Sequence, residues 1–77
     1  MENLTTNVES ARLIAKGLTM TIAMAGSALA EGFIIGKALE AIGRNPDQSG
    51  SIFSKMIIGV ALAESTAIYA FVAFFLL

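Results

Sequence analysis

AIGRNPDQSGS, residues 41–51, is the stretch that decides the fold. It holds the chain's one proline and several small polar residues. Pro46 has no N–H to give a helix and pushes Asn45 out of the helical region, so a helix arriving from the amino-terminal side must end near Gly43 or Arg44. Ser49 or Ser51 can cap the helix that leaves. A connection this short forces two antiparallel neighbours, a helical hairpin.

Outward from this turn the sequence is apolar in both directions. Gly17 to Ala30 carries no charge, Glu31 interrupts, and Gly32 to Gly36 is apolar again before Lys37. Met56 to Leu77 has Glu64 as its only charge and, as a helix, spans roughly 33 Å, enough to cross a bilayer. The expected architecture is an all-α membrane protein: a two-helix transmembrane hairpin forming one domain over 1–77. Helix one is expected over about 10–43, a polar loop over 44–48, and helix two over 49–77. Composition agrees, since 56% of the 77 residues are hydrophobic and the mean hydropathy is +0.76. A soluble core of this size could not absorb so many apolar side chains. MENLTTNVES is polar and acidic, unlike a secretory leader, so the mature chain is expected to begin near Met1. Lys37, Arg44 and Lys55 flank the loop against Arg12 and Lys16 near the amino terminus, which places the loop in the cytoplasm.

Composition also removes whole classes of chemistry. There is no cysteine or histidine, so disulfides, thiolate zinc sites, imidazole acid-base chemistry and a serine-histidine triad are excluded. A net charge of −1 with scattered basic residues gives no footprint for nucleic acid.

What remains is a pair of carboxyls where charge is costly. By helix rise, Glu31 lies roughly 18 Å from the loop and Glu64 roughly 22 Å, so the two are expected level, near mid-membrane. An unpaired charge there costs at least about 3 kcal/mol, and such residues mark ion pathways more often than packing. On a wheel of about 100° per residue, Ser65, Thr66, Tyr69 and the Leu62 carbonyl share one flank beside Glu64. Taken singly, the hydroxyls read as structural, bonding back into their own helix or marking the interface. Clustered beside an acid, they form a set of oxygen donors that suits a hard monovalent cation or a hydrogen-bonded proton rather than a transition metal.

Helix one carries a second pattern. In AGSALAEG, Gly26 and Ala30 form one small-residue stripe and Ala28 with Gly32 another, pointing away from the first. Such stripes let helix backbones approach closely in lipid, and two facing apart allow a like neighbour on each side, a contact that closes into a ring.

This combination resembles the c subunit of F-type ATP synthases: a two-helix hairpin, alternating small residues in helix one, Arg44-Asn45-Pro46 in the loop and a mid-membrane acid in helix two. The resemblance covers nearly the whole chain. It implies a ring of identical c subunits in lipid, the rotor of the membrane sector, with helix one inside and helix two outside. Ions would pass through the neighbouring a subunit, whose arginine would help release them from Glu64, while the loop would contact the central stalk. The chain would catalyse nothing alone. Its setting would be the bacterial cytoplasmic membrane, as a multi-pass integral protein.

Within the family, Glu64-Ser65-Thr66 and Tyr69 resemble sodium-coupled members. That likeness implies sodium held by Glu64, Ser65 and the Leu62 carbonyl, with a water through Thr66, and Tyr69 orienting Glu64. Glu31 stands where glutamine is common in the best-known sodium pattern, so the chain resembles the two-carboxylate variant, with Glu31 completing the site. Two ionised carboxylates around one sodium would leave a net negative charge in a low dielectric, so one proton is expected to stay, on Glu31. Two alternatives stand beside sodium coupling: a proton-coupled c subunit with the same residues as a proton lock, and a small oligomeric membrane hairpin such as a holin.

Overall fold

The computed structural model describes residues 2–77, with side chains from Asn3 onward; Met1, where the mature chain was expected to start, lies outside the described residues. Two helices and one tight turn make up the molecule: α1 (Glu2–Arg44), a 3-10 turn (Pro46–Gln48) and α2 (Ser49–Leu76). They lie side by side as a thin antiparallel pair, 68 Å long and 16 × 6 Å across.

The turn works as the proline requires. Asn45 leaves the helical region at φ −136°, ψ 72°, and its backbone and side-chain amides both donate to the Ala41 carbonyl, at 2.9 and 3.4 Å. An orphan acceptor at the end of α1 is thereby satisfied. Arg44 in that last turn also opposes the negative end of the helix dipole. The expected serine cap of α2 is not used: Gln48 occupies the cap position without a side-chain bond, and Ser49 is already helical. The 3-10 turn explains this, because Pro46–Gln48 winds directly into α2 and Ser49 N–H finds its partner at the Pro46 carbonyl.

At the other end α1 starts earlier than expected, at Glu2 rather than near residue 10. Nothing in ENLTTNVES stops a helix, since it contains no proline or glycine. With 43 residues against 28, α1 is about 20 Å longer than α2 and runs past its end.

The seam between the helices is narrow and made of small side chains. On α1, Ala23, Ser27, Glu31, Ile34, Ala38 and Ala41 are covered, recurring every three to four residues; on α2, Met56, Val60, Ala63, Ala67 and Ala70 answer them. Most large side chains point outward, including Leu29, Phe33, Leu62, Ile68 and Phe75. Both helices are long and apolar enough to cross a membrane, with hydropathies of 1.6 and 1.9. An apolar surface this extensive needs lipid or like neighbours around it. Near the loop, Lys37 Nζ pairs with Glu40 Oε2 at 3.6 Å on an exposed surface and lies 5.6 Å from the Phe33 ring centre. At the far end, Lys16 Nζ sits 5.4 Å from that of Phe74.

The carboxyl pair between the helices

Glu31 and Glu64 are brought together by the antiparallel arrangement itself. Ser27 against Ala63 and Ile34 against Gly59, where an added Cβ would lie 3.5 Å from Ile34 Cγ2, fix the register. By it Glu31 sits about one turn, roughly 5–6 Å, nearer the loop than Glu64, so the two Cα positions are not level as expected. Most of the shift is already in the residue count, roughly 18 Å from the loop for Glu31 against roughly 22 Å for Glu64. Side chains compensate, because each leans toward the start of its own helix. Glu31 therefore leans away from the loop, Glu64 leans toward it, and the carboxyls converge.

They meet at a cavity of about 130 Å³ lined by Met24, Ser27, Ala28, Glu31, Glu64 and Ala67. The Glu31 carboxyl has Glu64 and Ser27 as its polar neighbours, and its Oε1 is sealed from outside with no hydrogen-bond partner of its own. Glu64 is the more open of the two. It also borders a second, apolar hollow of about 200 Å³ formed with Met20, Met24, Ala67, Ile68 and Phe71. Its carboxyl thus stands between a polar pocket inside the hairpin and an apolar surface outside it.

The other expected donors lie elsewhere. Leu62 and Tyr69 are 68% and 73% exposed, Thr66 is exposed too, and their flank lies about 130° round α2 from the seam. Ser65 is half-covered and donates to the Ala61 carbonyl at 3.0 Å. The hairpin therefore gathers Glu31 and Glu64 on one side and leaves Leu62, Ser65, Thr66 and Tyr69 on another, with Glu64 at the border. Ser27 was missed in the sequence, where it reads as one more small residue; its position four residues before Glu31 puts both on one helix face and was the available signal.

The small-residue stripes of α1 lie on either side of the seam, Gly26 with Ala30 and Ala28 with Gly32, all exposed or only partly covered. A Cβ added at Gly26 or Gly32 would meet nothing within 4 Å. The hairpin's own packing does not require those glycines, so their smallness serves contacts outside the chain.

Comparison with known proteins decides the family. The family model described as the C subunit of ATP synthase matches residues 14–77. The chain belongs to the ATP synthase c-subunit family. It is 46% identical over 70 residues to an ATP synthase c subunit of Natranaerobius thermophilus, covering 91% of this chain and 80% of that one. A counterpart from Dehalococcoides mccartyi is 49% identical over 61 residues, covering 79% and 80%, and one from Protochlamydia amoebophila 41% over 71 residues, covering 92% and 72%. As a member of this family the chain is an integral membrane hairpin that assembles into a c-ring, a rotor component that translocates ions and does no catalysis itself. The holin alternative falls with this match. The exposed stripes on both flanks of α1 are what each hairpin needs to meet a like neighbour on either side.

Proposed function

We propose that this rotor hairpin carries sodium, one ion per copy, held by the Glu64 carboxylate, the Ser65 hydroxyl and the Leu62 carbonyl, with a water bridged through Thr66 and Tyr69 orienting Glu64. The observation that carries the reading is the state of Ser65. Its one proton is spent on the Ala61 carbonyl, so the oxygen presents only lone pairs to the flank it shares with Glu64, as a cation ligand must. The ligand set is split by the hairpin, and Glu31 belongs to the interior part. A neighbouring hairpin packed on the small-residue stripes would bring its own α1 against the exposed flank and close the site.

Charge explains why Glu31 holds a proton in this scheme. Two carboxylates with one sodium between them retain a net negative charge away from water, whereas a protonated Glu31 can donate to Glu64 and leave the loaded site neutral. A neutral site can face lipid as the ring turns. In the a subunit, water and a cationic partner would compensate the ionised Glu64 and release the cargo. Arg44, Asn45 and Pro46 in the loop would contact the central stalk, on the cytoplasmic side of a bacterial membrane.

The test is carbodiimide labelling of Glu64 in the detergent-solubilised ring, read by mass spectrometry with sodium or potassium at equal strength across several pH values. The reagent needs a protonated, accessible carboxyl. Sodium-specific slowing of labelling, stronger as pH rises because fewer protons compete for Glu64, is the expected result. Labelling that responds to pH alone overturns sodium in favour of a proton carrier with the same residues.

A further inference from the structure

Ser27 is the buried polar side chain that the ion-carrying scheme leaves unused. It is 6% exposed, on the α1 side of the seam. Thr19, Ser54 and Ser65 all send their hydroxyls to the carbonyl four residues back in their own helix, at 2.8, 3.1 and 3.0 Å. Ser27 has the same option at the Ala23 carbonyl and does not take it. Its hydroxyl instead crosses the seam and donates to the Ala63 carbonyl of α2 at 3.0 Å. That carbonyl also faces the helical N–H of Ala67, so Ser27 uses its second lone pair and strains nothing.

The place of this bond gives it a consequence. Ala63 directly precedes Glu64, Ser27 stands one turn before Glu31, and Ser27, Glu31 and Glu64 line the same cavity of about 130 Å³. Around it the covered side chains of the seam are mostly small, Ala23 on α1 and Val60, Ala63 and Ala67 on α2, and the close contact of Ile34 with Gly59 lies about two turns nearer the loop. A directional bond at this height therefore adds to that packing a constraint on the sliding and rotation of α2 beside Glu64.

We propose that Ser27 is a positioning residue. Through the Ala63 carbonyl it fixes the height and rotation of α2 at Glu64, hence the distance from Glu64 to Glu31, and so sets how tightly the hairpin holds its ion. The proposal rests on Glu64 as the ion carrier and does not depend on which ion is carried. Among the described residues, Glu31 and Glu64 are the titratable groups facing this cavity.

The experiment uses the whole ATP synthase with Ser27→Ala, Ser27→Thr or Ser27→Val in every copy of the chain. Alanine removes the hydroxyl at almost constant volume; threonine and valine share a shape and differ in the hydroxyl. Glu64 labelling by carbodiimide is measured against sodium concentration at fixed pH, alongside ATP hydrolysis against sodium. An interhelical hydroxyl bond in lipid corresponds to about a three- to fifteenfold change in an equilibrium constant. The half-protecting sodium concentration should rise by that factor in alanine and valine variants and return toward the original in threonine, with the maximal hydrolysis rate unchanged. Equal protection in all four proteins overturns the proposal. If sodium protects none of them, the sodium reading has failed separately, and Ser27 is judged by the pH at which half of Glu64 labels. A midpoint moved in alanine and restored by threonine supports the positioning role, and an unmoved one overturns it. Should the alanine variant fail to assemble, the threonine and valine rings decide, and identical labelling in those two refutes the role.

Discussion

The polar atoms on the inner side of Glu64 are walled in by α1, whereas those on its outer side face away from everything the chain itself provides. Inside, Ser27 and Glu31 share a cavity with Glu64, and Ser27 is bonded across the seam within one hairpin. Outside, Leu62, Thr66 and Tyr69 are exposed and gain a function only when a second hairpin covers them. The difference teaches that each hairpin divides its labour by face. In the proposed scheme the inner face sets the position and charge of the carrier, and the outer face supplies donors to an ion that one hairpin alone does not enclose.

The sharpest way to break this comparison is at the residue both faces share. Glu64→Gln should abolish coupled ion transport, because a neutral amide cannot alternate between a compensated and an ionised state as the site moves between lipid and water. Reconstituted enzyme with that substitution, assayed for ion-dependent ATP synthesis, should show none. Retained synthesis would move the carrier role elsewhere. Next in size is the closure of the outer face by a neighbour. Gly32→Leu should leave the hairpin intact, since the new side chain starts from an open position where an added Cβ meets nothing within 4 Å, yet it should prevent ring formation by holding adjacent α1 backbones apart. Native mass spectrometry of the detergent extract should find separated hairpins, and an intact ring would show that the exposed stripes are not the contact.

The hairpin was legible in the sequence; the division by face was not, because in the sequence Glu31 and the donors beside Glu64 read as one site. Pro46 and the two apolar runs dictated the hairpin, and helical spacing grouped Ser65, Thr66, Tyr69 and the Leu62 carbonyl on one flank beside Glu64. The start of α1 was misjudged because polarity alone does not end a helix; proline, glycine or a competing cap does. The two acids were expected level because a difference of about one turn, counted from the loop, was smaller than the uncertainty in the helix ends. Ser27 was invisible because a hydroxyl that bonds back into its own helix and one that crosses to another have the same sequence signature; register alone separates them.

Smaller substitutions sharpen the comparison. Ser65→Ala removes one proposed ligand on the outer face without touching the cavity inside. The sodium concentration for half-maximal hydrolysis should rise by about tenfold, the loss expected for about 1.4 kcal/mol of binding, while proton-driven operation at low sodium stays as it was. An unchanged sodium dependence would remove Ser65 from the ligand set and weigh toward proton coupling.

Tyr69→Phe is the finest of these tests, because it removes a single hydroxyl that is not a ligand in the proposed scheme. In one hairpin Tyr69 is 73% exposed, so the substitution should leave the stability of the isolated hairpin unchanged. In the ring, a hydroxyl that orients Glu64 contributes one hydrogen bond in a membrane, about 0.6 kcal/mol on average, and its loss should raise the half-protecting sodium concentration about threefold. The direction of comparison with Ser27→Ala is what matters. Both substitutions delete one hydroxyl, one on each side of the same carboxyl. If Tyr69→Phe weakens protection while Ser27→Ala does not, Glu64 is positioned from outside, by the neighbour-facing flank. If the reverse holds, the carrier is set by the interior of each hairpin before the ring forms, and the ring only closes the site around it.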